Sequence, residues 1–310
     1  MKKLSVIFSF KNENENLTEL VKRISQNINK VKIIKDYELI FVDDNSDDNS
    51  VKTLKSLMKN YPISIIKMSR TFGVTPCVIA GLQYSSGDAV IYMDSDLQDP
   101  PELIPGMCKK FDNGFEVVHT VRKKRHGESS FKIFITKVAY KVINFFSEVE
   151  LQTNAGDFKL LSRRVVDKIL DLNEYDPYMR GLSVWVGFKQ CSILYDRDAR
   201  FKGKTHFSLL ANLNPFKEFV RGITSFSIAP LYFSLFVGLF GLIMSFAIII
   251  YALITKYMDM SIPGSSGILI VLGFLFSIVM IANGFLGIYI AKIYGEVKAR
   301  PKYIIEEIIK

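Results

Sequence analysis

The chain has 310 residues, 49% hydrophobic and 23% charged, and its 40 Lys and Arg against 31 Asp and Glu give a net charge of +9. A mean hydropathy of +0.19 is high for so charged a chain, so its apolar residues must be concentrated in places. That excludes a wholly soluble protein, a disordered chain and a disulfide scaffold, and the three scattered cysteines (Cys77, Cys108, Cys191) read as reduced cytosolic thiols.

Met1-Lys2-Lys3 before an apolar run at 4–10 mimics a signal peptide. The run is short, no small-residue cleavage site follows, and 11–16 is polar, so it is predicted to be a first strand. Further strand-like runs lie at 37–42, 63–68, 89–93 and 115–120. Between them Leu17, Leu20, Val21, Ile24 and Ile28 keep helical spacing, as do Val51, Leu54, Leu57 and Met58, and Pro100-Pro101 opens a short helix. Repeated strand–helix units predict an α/β domain with a mainly parallel sheet, whose ligands bind beyond the carboxyl ends of the strands.

A helix over about 128–149 carries Phe131, Phe134, Ile135, Val138, Val142 and Phe145 on one face and reads as core-facing. Over 214–227, Asn214 is an N-cap, Pro215 takes the first helical position, and Phe216, Phe219, Val220, Ile223 and Phe226 form an apolar stripe opposite Lys217, Glu218, Arg221 and Thr224. That pattern suits a helix lying in a membrane interface, with a core helix of the soluble domain as the alternative. No Asp, Glu, Lys or Arg occurs between Arg221 and Lys256, or between Asp259 and Lys292. Both gaps exceed the roughly 20 apolar residues that cross a bilayer core. Spans are therefore expected at about 230–254 and 267–291. The chain divides into a catalytic-type domain 1–208, an interface helix 209–228, two transmembrane helices within 229–292 and a tail 293–310. Lys and Arg gather on the side holding both termini, which the positive-inside rule makes cytoplasmic. The positive charge then points to anionic lipid head groups and phosphorylated substrates, with no nucleic acid.

Asp94-Ser95-Asp96 ends the fourth strand, followed by Leu97-Gln98-Asp99-Pro100. Two carboxylates one residue apart at a strand end can share one hard cation, Mg²⁺ or Mn²⁺, bridging to a diphosphate; an acidic turn capping the next helix is the alternative. Asp43-Asp44 ends the second strand on the same edge. Clustered carboxylates repel unless a cation or donor lies between them. The basic runs Arg122-Lys123-Lys124-Arg125-His126 and Arg200-Phe201-Lys202-Gly203-Lys204-Thr205-His206 suit phosphate, or are solvated or lipid-facing charge.

In order, Asp43-Asp44-Asn45-Ser46, Arg70-Thr71-Phe72-Gly73, Asp94-Ser95-Asp96-Leu97-Gln98-Asp99-Pro100, Gly127-Glu128-Ser129, Gly156-Asp157-Phe158-Lys159-Leu160-Leu161-Ser162-Arg163 and Arg180-Gly181-Leu182-Ser183-Val184-Trp185 closely resemble the bacterial polyprenyl-phosphate glycosyltransferases. These include the bactoprenol glucosyl transferases and are related to dolichol-phosphate mannose synthase. The resemblance covers essentially the whole chain. It implies a GT-A, Rossmann-like fold of glycosyltransferase family 2 plus two C-terminal transmembrane helices. It implies inverting, metal-dependent transfer of a sugar, glucose from UDP-glucose foremost, to undecaprenyl phosphate at the cytoplasmic face of the bacterial inner membrane. N-acetylhexosamine, galactose or aminoarabinose donors, or an inactive nucleotide-sugar-binding scaffold subunit, are the alternatives. By the same resemblance Asp43 and Asp44 hold base and ribose, and Asp94, Asp96 and Gln98 sit at metal and diphosphate. Arg122, Arg125, Lys132, Arg200 and His206 meet phosphate or acceptor, and Asp157 matches the proposed catalytic base alongside Asp96 and Arg200. A homotetramer, a flippase and a downstream periplasmic or extracellular glycosyltransferase are implied as partners. Three positions depart from the family pattern: Lys11 replaces an aromatic residue, Asn45 a glycine and His206 a lysine. A phosphate monoester has a second pKa of about 6 and is ionised without help, so Asp157 reads as orienting the sugar or the basic residues around the acceptor.

Overall fold

The computed structural model describes residues 2–122, 141, 144–145, 155–172, 174–196, 224–227, 229–258 and 265–310. The expected helix at about 128–149 and the interface helix fall almost wholly outside these residues, as do Arg125, Lys132, Arg200 and His206.

The apolar runs of the first half become strands because both faces of each are covered. β1 (Lys2–Phe10), β2 (Ile34–Asp43), β3 (Ile63–Met68) and β4 (Ala89–Asp94) alternate with α1 (Asn14–Ile28), α2 (Ser50–Leu57) and α3 (Val74–Tyr84). Their pairings β1–β2, β1–β4 and β2–β3 are parallel. After a 3-10 turn at Pro101–Leu103 come α4 (Ile104–Asp112) and β5 (Val117–Arg122), then β6 (Ala155–Ser162), α5 (Arg163–Asp171), α6 (Met179–Trp185) and β7 (Gln190–Tyr195). Leu17, Leu20, Val21 and Ile24 of α1, with Val6, Phe8, Phe41 and Ile91 of the sheet, are fully buried in one core. Phe8 stacks on Phe41 at 4.5 Å between ring centroids.

Among the described residues the sheet has eight strands in the order β7-β5-β6-β4-β1-β2-β3-β8. Four of its seven strand pairings are parallel, in keeping with the expected mainly parallel sheet, and three are antiparallel. β6 runs antiparallel to both β4 and β5, and β8 (Ile305–Ile309) runs antiparallel to β3. The chain leaves β5 and enters β6 at the same edge of the sheet, so the start of β6 meets the finish of its neighbours. The tail, expected merely to follow the spans, supplies the edge strand β8.

Residues 223–300 form a second compact unit. α7 (Ala229–Tyr257) and α8 (Ser265–Lys298) pack on each other. At 1.5 Å per residue they measure about 44 and 51 Å, longer than a hydrocarbon core of about 30 Å. Among the described residues one stretch, Phe274–Lys298, is long and apolar enough to cross a membrane, with mean hydropathy 2.1. α8 continues to Lys298, past the expected end of its span, and Phe276 and Ile290 on it are 64% exposed. Within this unit Tyr289 donates its hydroxyl to the Ser227 carbonyl at 2.6 Å, and Lys292 donates to Ser225 Oγ at 3.1 Å.

Candidate active site

Strand register brings the chemistry to one edge. Phe10 stands opposite Asp43, and Ser9 opposite Asp94. Tyr92 pairs with Lys159 across the antiparallel β4–β6 ladder, so two residues further Asp157 faces Asp94. Arg122 and Tyr195 end β5 and β7 side by side. Along the carboxyl edge the order is therefore Tyr195, Arg122, Asp157, Asp94, Phe10, Asp43. Asp43 and Arg122 are four strand steps apart, about 19 Å at the usual interstrand spacing. An edge of that length, acidic toward β2 and with Arg122 toward β5, is long enough for an elongated, phosphate-bearing ligand.

At the β2 end, Asp43 is fully buried and accepts the Ser46 N–H at 3.0 Å on Oδ1, while buried Oδ2 has no hydrogen-bond partner among the described residues. Burial pushes its carboxyl up against the opposing bonds from Ser46, as an acceptor waiting for a donor would show. Asp44 is used differently. Its two oxygens accept the N–H groups of Phe72 at 2.7 Å and Gly73 at 3.0 Å, so its carboxylate holds the loop after β3. Thr71 donates its hydroxyl to the Asp44 carbonyl and accepts from Lys11 Nζ at 2.8 Å. Asp48 caps helices: its oxygens accept from Asn14 N–H of α1 and Ser50 N–H of α2. Asn45 has φ 62°, a left-handed geometry that asparagine adopts more readily than most residues.

At the β4 end, Asp94 is half-buried and Asp96 buried. Asp96 Oδ1 accepts the Gln98 N–H at 3.1 Å, and Leu97 between them has φ 60° with its side chain buried. Leu97 thus holds a sparsely populated conformation beside the acidic pair. Among the described residues no group of three or more His, Cys, Asp or Glu converges as a cation cage.

The basic end contains residues to which the motifs assigned no role. Arg180 of α6 grips Asp157 with a two-bond fork, Nε to Oδ1 at 2.9 Å and Nη2 to Oδ2 at 2.6 Å. Burial would raise the Asp157 carboxyl, but Arg180, with Lys159 and Arg122 behind it, outweighs that and holds it below the ordinary range. So stabilised an anion is a weak base. Arg122 donates Nε to the Tyr195 hydroxyl at 3.1 Å, and that hydroxyl donates to buried Asp99. Asp99 and Tyr195 therefore hold Arg122 in place at the carboxyl end of β5. The only trace of Asp99 in the sequence is its place in the acidic run; Tyr195 and Arg180 arrive from elements distant in sequence. Lys159, on the same face of β6 as Asp157, is buried and donates to Ser183 Oγ at 2.6 Å.

Residues 5–170 match the model of the family described as "Glycosyl transferase family 2". An uncharacterized glycosyltransferase of Synechocystis sp. is 37% identical over 98% of this chain and 95% of its own. The uncharacterized glycosyltransferase YkcC of Bacillus subtilis is 38% identical over 98% and 93%. The SfII prophage-derived bactoprenol glucosyl transferase of Shigella flexneri is 35% identical over 98% of each. Since these likenesses run nearly end to end and the family match spans the acidic strand ends and the start of β6, the chain is a glycosyltransferase and belongs to glycosyl transferase family 2.

Proposed function

We propose that the protein transfers a sugar from a nucleotide diphosphate to a polyprenyl phosphate, with glucose from UDP-glucose as the leading donor and undecaprenyl phosphate as the acceptor, at the cytoplasmic face of the membrane. The observation that carries this is the charge order along the sheet edge, with buried Asp43 at one end and Arg122, held by Tyr195 and Asp99, at the other. The full-length relatives named bactoprenol glucosyl transferases support the acceptor class.

In this reading Asp43 Oδ2 accepts from the nucleotide, and Asp44 acts through the loop it holds rather than by touching the ligand. An acceptor phosphate oxygen attacks the anomeric carbon as the bond to the β-phosphate oxygen breaks, so the configuration inverts and the nucleoside diphosphate leaves with the electron pair. The acceptor is an ionised nucleophile near neutral pH, so no side chain has to take its proton. Asp157 positions Arg180 beside the carboxyl edge of the sheet, and Arg122 stabilises phosphate charge.

Asp94 and Asp96, with Gln98 beside them, offer the hard oxygen donors a divalent cation takes. Mg²⁺ commonly uses one or two carboxylates and completes its shell with substrate phosphates and water, so this pair is enough to hold it. When bound, Mg²⁺ or Mn²⁺ neutralises charge on the departing diphosphate.

The test is incubation of the purified full-length chain with undecaprenyl phosphate and a panel of radiolabelled nucleotide sugars. UDP-glucose should give labelled lipid, EDTA should abolish the label, and Asp96→Asn should lower the rate at least about a hundredfold, the scale of losing one strong electrostatic contact. Label transferred from no donor would defeat the reading; activity surviving both EDTA and Asp96→Asn would defeat the metal assignment.

A further inference from the structure

The C-terminal strand is pinned to both elements that hold the nucleotide-side loop. β8 pairs with β3 from Ile65 opposite Ile309 to Met68 opposite Ile305. Where β3 ends, Ser69 donates its N–H to the Ile304 carbonyl at 3.0 Å, and Lys67 bridges Glu306 at 3.1 Å. On the far side of the loop, Tyr303 donates its hydroxyl to Gln83 in the last turn of α3, the helix that begins immediately after Gly73. Lys302 reaches the Leu172 carbonyl at 3.3 Å, and Ile309 packs against the core.

The clamped loop is short and carries the Asp44 contacts. Arg70 lies over the Phe72 ring at 4.0 Å and donates to the Thr71 carbonyl, while Phe72 and Gly73 present their N–H groups to Asp44. Gly73 has φ 97°. A loop so conformed needs both ends fixed, and β3 without β8 would be a bare sheet edge with the Ser69 N–H stripped of its acceptor.

We propose that β8 and Tyr303 are positioning residues of the nucleotide site: by clamping β3 and α3 they set, together with Asp44, the loop at 69–73, so donor affinity depends on residues 303–310. This rests on the nucleotide-sugar reading above and extends it to a segment that touches no substrate.

The experiment titrates UDP calorimetrically into the full-length chain and into a chain ending at Lys302, both in the same detergent, with melting curves to establish folding and hydrogen exchange over 69–73. The shortened chain should bind UDP at least about tenfold more weakly, on the scale of one charge-assisted hydrogen bond, and the Phe72 and Gly73 amides should exchange faster. Two variants of the full chain loosen the tail without removing it: Tyr303→Phe takes away the hydroxyl on Gln83, and Glu306→Lys sets like charges face to face with Lys67. Each should weaken UDP binding about two- to fivefold, as loss of a partly exposed polar contact does, and these two decide the matter if the shortened chain does not fold. Unchanged UDP affinity and unchanged exchange over 69–73 in the folded variants would overturn the proposal. Failure of the unaltered chain to bind any nucleotide of the panel would overturn the donor reading and this inference with it, an outcome separable because it touches the full-length protein itself.

Discussion

Lys159 shows how far a residue's surroundings can change its chemistry. Burial, with Arg180 nearby, outweighs the attraction of Asp157 and brings its amine from 10.5 down to about 7. His119, its cross-strand neighbour on β5, is lowered by burial and by the Lys159 charge to about 4, and the buried Tyr92 hydroxyl is pushed up, so in the folded chain neither titrates between pH 7 and 10.5, and both are common to the variant compared below. In that window the unfolded chain holds a proton on Lys159 that the folded chain releases, so this group makes folding more favourable as pH rises from about 7 to 10.5. Lys159→Met keeps the bulk and removes the amine. The wild type should gain melting temperature relative to this variant across the window, and parallel curves would show that burial does not govern the Lys159 charge. The Ser183 hydroxyl keeps a partner in the variant, because it also donates to the Arg180 carbonyl at 3.0 Å.

Among the elements, the turn from β3 into α3 is the most exacting. Gly73 precedes the helix with φ 97° and ψ 172°, a region only glycine enters readily. A Cβ there would meet nothing within 4 Å, so Gly73→Ala is a test of backbone strain without a clash. Forcing an L residue into that conformation costs about 1–3 kcal/mol. The loop should relax away from Asp44, UDP binding should weaken about tenfold by the same energy scale, and the melting temperature should fall by a few degrees. Wild-type UDP affinity in Gly73→Ala would mean that the Phe72 and Gly73 amides do not shape the nucleotide site. The antiparallel placement of β6 is an element-scale decision of equal weight. A parallel strand at that place would have carried Asp157 to the opposite edge from Asp94.

At the scale of the whole molecule, the chain leaves its sheet, forms two long apolar helices and returns to the sheet with β8. If α7 and α8 both cross a membrane, both termini lie on one side of it, and the positive-inside rule predicts that side to be cytoplasmic. In cells expressing the full chain without its native cysteines, a cysteine at Ser265 should react with an impermeant thiol reagent from outside, and one at Lys310 should not. Labelling at Lys310 alone would reverse the orientation and separate the catalytic domain from cytoplasmic nucleotide sugars.

Local pattern was enough for the alternation of β1 to β4 with their helices, because each strand's apolar run and each helix's spacing report burial on a neighbouring layer. The carboxyl-edge position of Asp43 and Asp94 followed from the same logic, since consecutive parallel strands must finish on one edge. The apolar helices were equally legible from the long gaps in charge. Only the tertiary structure decided that β6 enters antiparallel between β4 and β5, that Arg180 forks onto Asp157, that Tyr195 and Asp99 hold Arg122, and that the tail closes the β3 edge. These are pairings between segments far apart in the chain, 239 residues for Lys67 with Glu306. Periodicity records whether a residue is buried but not against which distant partner, and strand direction is set by the path the chain takes between strands.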